Sequence, residues 1–213
     1  MLDLYDTIAH SDWAGWRDEL AGLSGLDPDA ISMAYHVTRP ARSVGAYATP
    51  EDDMHALLQA AGIAEPDPAL VGSLAEAESE FGGDRVFLYE DSLPTVAALR
   101  ATGAKTALVS NCSHGTRPIV VRLGLVDAFD AVVLSFEVGA RKPQAGIYEA
   151  ALHALDAEPG DAIFVDDQTA YCDGARSLGI DTRLIMRADA QPAEGFAPST
   201  NGHMVISGLT ALL

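Results

Sequence analysis

The chain is poor in positive charge and nearly devoid of lysine. Against 31 Asp and Glu it carries only 13 Lys and Arg, for a formal net charge of −18. Lys105 and Lys142 are its only lysines. So acidic a surface repels phosphate backbones and anionic lipid, which excludes a nucleic-acid or membrane-surface module. An anionic ligand must then be met by local cations, or by a metal ion that inverts the local field. Cysteine is scarce too. Cys112 and Cys172 are too few for a disulfide framework, no C-x-x-C motif is present, and the pair reads as free thiols. No apolar run approaches the ~20 residues of a membrane span. An acid at the third residue and the lack of a charged-then-apolar leader argue against a signal peptide, so a cytoplasmic location is expected. The six histidines show no metal-ligand spacing, and no internal repeat is evident.

What is present divides into two textures. With 213 residues, 48% of them hydrophobic, the chain suits one compact domain with room for a small insertion. Residues 12–81 read as helical and acidic. The run SDWAGWRDELAGL opens on Ser11 or Asp12 as N-cap. In TPEDDMHALLQAAG, Thr49 caps, Pro50 enters the first turn, acids follow and Gly62 stops the helix. Between them YHVTRPARSVGAYA reads as a polar loop carrying Arg39 and Arg42. Trp13 and Trp16 share one helix face, as core packing or as the floor of a pocket. From Arg85 onward short apolar runs alternate with helical ones: KTALVSN, AFDAVVLS, DAIFVDD and DTRLIM are strands, and the segments between them are helices. MVISGLTALL closes the chain as a strand or turn and a short helix. The alternation predicts right-handed βαβ units and a Rossmann-like parallel sheet. The expected fold is thus α/β, with a core over 1–11 and 82–213 and an inserted helical cap over 12–81.

Ligands of such sheets bind beyond the C-terminal ends of the strands. Four strand ends there carry polar residues: Asp3-Leu4-Tyr5-Asp6-Thr7, Ser110-Asn111, Arg141-Lys142-Pro143 and Asp166-Asp167. Each alone has an ordinary reading as a cap, a turn or a solvated loop. Together they bring three carboxylates, hydroxyls and an ammonium to one crevice. Clustered carboxylates repel unless a cation sits among them or one is protonated. Oxygen ligands without sulfur or imidazole favour Mg²⁺.

These four segments, in this order and spacing, resemble the motifs of the haloacid dehalogenase-like superfamily of hydrolases: DLYDT, ALVSN, FDAVVLSFEVGARKPQAGIYEAAL and AIFVDDQTAYCDGARSLGI. The resemblance implies a catalytic set of Asp3, Thr7, Ser110, Asn111 and Lys142. Asp3 would be the nucleophile, steadied by Thr7, and would form an aspartyl-phosphate. Ser110 would bond a phosphoryl oxygen with Asn111 beside it, and Lys142 would pair with Asp3 and the phosphoryl group. It also implies Mg²⁺ held by Asp3, the Tyr5 backbone carbonyl, Asp166 and Asp167, with Asp167 the direct ligand of the acidic pair. The implied substrate is a small phosphate ester, and the protein a monomer or homodimer. Arg39, Arg42 and His114 are candidates for substrate binding by location; His10 follows the first motif as His114 follows the second.

Three departures bear on this expectation. Tyr5 stands where the family's phosphatases carry an acid/base Asp, and a phenol with a pKa near 10 is a poor base at neutral pH. The family's 2-haloacid dehalogenases often have Tyr there, and hydrolytic dehalogenation is the alternative reading. A weakly catalytic scaffold or regulatory protein is another. Tyr171 replaces the Asn or Asp that often orients the metal pair. Finally, only Met1 and Leu2 precede Asp3, so the first strand is either truncated or continued upstream.

Overall fold

The computed structural model describes residues 1–188 and 199–213, without the side chains of 81–83. The part of the expected core at 189–198 lies outside the described residues.

A short strand β1 (Ala9–Ser11) leads from the first residues into four helices: α1 (Trp13–Ser24), α2 (Pro28–Arg42), α3 (Pro50–Ala60) and α4 (Pro68–Arg85). Their starts are written in the sequence. Asp12, Asp27, Thr49 and Asp67 each accept a backbone N–H of the first turn, and a proline follows the last three. Each such cap is worth about 1 kcal/mol. The four helices bury their own core of Trp16, Leu20, Ile31, Ala34, Met54, Leu57, Leu58 and Leu74. Residues 35–42, expected as part of a loop, instead belong to α2, which runs through Pro40. The reason is burial. Ile31, Ala34, Thr38 and Arg42 lie at helical spacing and are all buried, so packing along that face outweighs the proline penalty. The last helix of the bundle reaches Arg85, four residues beyond the expected boundary.

The chain then returns as β2 (Val86–Leu88), which pairs antiparallel with β1, so both connections to the bundle run side by side. The α/β unit follows: α5 (Ser92–Ala101), β3 (Ala107–Ser110), α6 (Thr116–Arg122), α7 (Leu125–Ala128), β4 (Ala131–Leu134), α8 (Ser135–Val138), α9 (Ala145–Leu155), β5 (Ile163–Asp166), α10 (Thr169–Ser177), β6 (Asp181–Ile185) and β7 (Met204–Ile206), then a 3-10 turn at Leu209–Leu212. β3 pairs with β4, β5 with β6 and β6 with β7, all parallel.

Residues 1–3 join these two groups of strands. Leu2 bridges Leu108 on one side and Val165 on the other. Its N–H donates to the Ala107 carbonyl at 2.8 Å, and the Asp3 N–H to the Val165 carbonyl at 3.0 Å. The first segment is thus the central strand of a parallel sheet, although it is only three residues long. Side-chain alternation splits the core. Leu2, Leu108 and Val165 face one layer with Val96, Ile119 and Val120, whereas Ala107, Val109 and Phe164 face Ile147, Tyr148 and Ala151 of α9. No described helix is long and apolar enough to cross a membrane.

Candidate active site

The loops after the central strands meet in a cavity of about 480 Å³ between the sheet and the helical bundle. Asp3, at the end of the central strand, lies beneath it and is 5% exposed. The loop beyond is tight: the N–H groups of Ile8 and Ala9 return to the Leu4 carbonyl at 2.9 and 2.8 Å. To make that turn Asp6 adopts a left-handed conformation, φ 56°, which short polar side chains tolerate.

Lys142 enters from the loop between α8 and α9. It is buried, and its Nζ donates to Asp3 Oδ1 at 2.5 Å and to Asp166 Oδ2 at 2.7 Å. The ring centroids of Tyr171 and Phe164 lie 5.1 and 5.5 Å from the ammonium. Burial alone would lower the Lys142 pKa, but the carboxylates of Asp166 and Asp3 outweigh it and hold the ammonium charged. Asn111 fixes the backbone at this point. Its Nδ2 donates to the Lys142 carbonyl at 2.9 Å, and its Oδ1 accepts the Lys142 N–H at 2.7 Å. Gly174 of α10 leaves room for the same loop, since a Cβ there would meet the Pro143 carbonyl oxygen at 2.8 Å.

The acidic pair is asymmetric. Asp166 is fully buried, with one oxygen on Lys142 and the other accepting the Gln168 N–H at 2.8 Å. Asp167 lines the cavity, and its buried Oδ1 has no hydrogen-bond partner among the described residues. Burial pushes both pKa values up, and the neighbouring Asp3 pushes them further. Asp3, Asp166 and Asp167 each offer an oxygen, and these lie within 4.8 Å of one another. Fully ionised, the three carboxylates and the one ammonium carry a net charge of two minus, which one divalent cation would balance. Ser110 Oγ and Thr7 Oγ1 are likewise buried and unpartnered. The residues present therefore fit a hard divalent ion beside a bound anion. The hydrogen bond expected from Thr7 to Asp3 is not formed.

Tyr5 lines the cavity with its phenol on Thr116, and burial raises its pKa, so it is neutral at physiological pH. Of the three substrate-binding candidates, Arg39 and Arg42 line the cavity and His114 does not. Arg39 is exposed, and its side chain has no ion-pair partner among the described residues. Arg42 is buried and engaged: it binds Glu78 at 2.7 and 3.0 Å, lies 3.3 Å from Asp53 and reaches Ser113 at 3.3 Å. His114 packs on Phe136 with its Nε2 3.0 Å from the Tyr47 carbonyl oxygen. His10 stacks instead on Phe87 and Tyr89. Both cysteines are buried free thiols.

One residue near the site carries no motif. Arg187 donates twice to the Thr7 carbonyl, at 2.6 and 3.2 Å, and pairs with Asp91 at 2.8 Å. It ties the end of the loop after Asp3 to the start of α5.

Residues 1–179 match the sequence model of the haloacid dehalogenase-like hydrolases. Among curated proteins, the chain is 31% identical over 126 residues to (S)-2-haloacid dehalogenase 1 of Pseudomonas sp. strain CBS-3, covering 59% of this chain and 56% of that one. It is 32% identical over 133 residues to the glyceraldehyde 3-phosphate phosphatase of Methanopyrus kandleri, covering 62% and 57%. The chain thus spans little more than half the length of either. Among solved structures, L-2-haloacid dehalogenase of Xanthobacter autotrophicus shares the fold, with a TM-score of 0.68 at 20% identity over 99% of this chain and 94% of that one.

Proposed function

The chain belongs to the haloacid dehalogenase-like hydrolases, and on that premise we propose that it is a Mg²⁺-dependent phosphatase of small phosphate esters. The observation that carries this reading is the excess of carboxylate at the strand ends. Asp167 ends in a buried, unpartnered oxygen within 4.8 Å of Asp3 and Asp166 oxygens, and Lys142 balances only one of the three charges. A carboxylate is costly to bury unless it binds something. Asp3, Asp166 and Asp167, with the Tyr5 carbonyl, would hold the ion. When bound, it supplies neutralisation of the phosphoryl charge, the main need of phosphoryl transfer.

The steps belong to the chain's own residues. Asp3 attacks phosphorus, the bond to the alcohol oxygen breaks, and water then hydrolyses the aspartyl-phosphate to inorganic phosphate. Lys142 orients Asp3 and offsets the oxyanion charge. Ser110 Oγ is available to donate to a phosphoryl oxygen, with Asn111 holding the Lys142 loop. The helical bundle acts as a cap that excludes water from this chemistry.

Tyr5 favours a second reading. A neutral phenol can donate a proton but not accept one, whereas halide departs without needing a proton. Displacement of halide from a 2-haloacid by Asp3, with Arg39, which has no ion-pair partner among the described residues, facing the substrate carboxylate, is the alternative. Phosphate release from p-nitrophenyl phosphate and chloride release from 2-chloropropionate, measured in parallel, separate the two. The proposal expects phosphate release, with Asp3→Asn lowering the rate by roughly 10³-fold or more. Chloride release alone selects the dehalogenase reading. Neither product leaves a non-catalytic scaffold, and undiminished turnover by Asp3→Asn contradicts both enzyme readings.

A further inference from the structure

The bundle side of the cavity is aromatic. Trp13, Trp16 and Tyr35 line it from the bundle, Tyr5 and Tyr171 face the same cavity from the α/β unit, and none of the described phenylalanine side chains lines it. Among the described lining residues Ile119 is the single branched aliphatic. A wall needed only to exclude water would be served by Leu, Val or Phe. Tryptophan and tyrosine instead combine a broad π face with a polar tip that must be tied down when buried.

The tips are tied to protein. Trp16 Nε1 donates to the Tyr35 hydroxyl at 3.0 Å, and that hydroxyl donates to Glu78 Oε1 at 2.8 Å. The Tyr5 phenol is held by Thr116. These rings are fixed in place, at little further entropic cost to binding. Trp13 differs from Trp16. Trp16 is 2% exposed in the bundle core, whereas Trp13 is 38% exposed, held by an edge contact to Tyr35 with ring centroids 4.7 Å apart. It is a large aromatic surface, in edge contact with Tyr35, on the same cavity as Asp3 that the bundle core does not consume. The cationic side of this wall is largely spent, because Arg42 is occupied by Glu78 and Asp53. A second phosphate or a polyanionic chain has little to bind there beyond Arg39.

We propose that the substrate is a phosphate monoester whose leaving group carries a flat aromatic ring, seated against Trp13 and Tyr35, with Trp13 setting the preference. This rests on the phosphatase reading above and narrows it from small esters in general to ring-bearing ones. Contact of a ring with a fixed aromatic face is sequence-blind chemistry that every π system satisfies, so the class is defined by flatness, not by a hydrogen-bond pattern.

The test compares kcat/KM for phenyl phosphate, glucose 6-phosphate and glycerol 3-phosphate in Mg²⁺-containing buffer. In parallel, calorimetry measures the binding of benzylphosphonate and methylphosphonate, which needs no turnover. The proposal expects phenyl phosphate to be preferred over both other esters by about tenfold or more, and benzylphosphonate to bind about tenfold tighter than methylphosphonate. Trp13→Ala should erase most of both preferences, mainly through KM, and Trp13→Phe should restore them. Equal kcat/KM for the three esters, or preferences untouched by Trp13→Ala, overturns the proposal. Tighter Trp13-dependent binding of benzylphosphonate without hydrolysis of any ester upholds the ring site and overturns the phosphatase reading. Equal binding of the two phosphonates overturns the ring site whatever the activity.

Discussion

Lys142 is the residue around which the site is organised. One ammonium, buried and pinned through its backbone by Asn111, holds two carboxylates from different strands. Its presence in a chain with two lysines is explained by this place. Arg187 performs a related task on the other side of Asp3, through the Thr7 carbonyl. A misplacement of about 1 Å at a reacting group costs on the order of 10²-fold in rate. Arg187→Ala should therefore lower kcat by about 10–100-fold with KM little changed, as steady-state kinetics will show; a wild-type kcat contradicts the positioning role. The two residues differ in how far the sequence reveals them. Asp3, Ser110 and Asp166 each sit in a short local motif at a strand end, and Lys142 in one that the structure places beyond α8, a helical turn after β4; in each the chemistry is legible from residue type and spacing. Arg187 lies beyond the last motif, and its partners are 180 and 96 residues away in sequence. Only folding brings them together, and no local pattern announces it.

At the scale of elements, the bundle is keyed by Arg42. Its guanidinium from α2 gathers Glu78 of α4 and Asp53 of α3, and its charge lies 4.8 Å from the Tyr35 ring centroid. Removing one partner of a buried ion pair leaves the others uncompensated, at a cost of about 3–5 kcal/mol. Arg42→Met should lower the thermal midpoint by roughly 6–20 °C, read by calorimetry or circular dichroism; an unchanged midpoint contradicts a keystone role. The helix starts were legible because Asp or Thr caps with following prolines are local signals. The extent of α2 was not, because Pro40 is a local stop signal that a long-range ion pair and a buried helix face override. The parallel strands were legible as apolar runs. The central strand was legible only through the motif at its end, since the two residues before Asp3 carry no pattern; its place between two groups of strands rests on the neighbours Leu108 and Val165 that pair with Leu2.

At the scale of the molecule, an acidic shell surrounds a cavity whose floor holds three more carboxylates. The net charge of −18 would repel a phosphate ester, and the floor would repel it further, unless a cation enters first. The bundle, packed on α6 through α4 with Arg122 donating to the Glu80 carbonyl at 2.9 Å, covers the place where the two charges meet. On the phosphatase reading, turnover therefore requires a divalent ion at Asp3, Asp166 and Asp167. The most direct measurement is the initial rate of phosphate release from p-nitrophenyl phosphate against Mg²⁺ concentration, for the wild type and Asp167→Asn, starting from chelator-treated protein. The account predicts a saturable rise of about 10²-fold or more for the wild type and little or none for Asp167→Asn. Phosphate release by the wild type that is the same with Mg²⁺ and with chelator would contradict it.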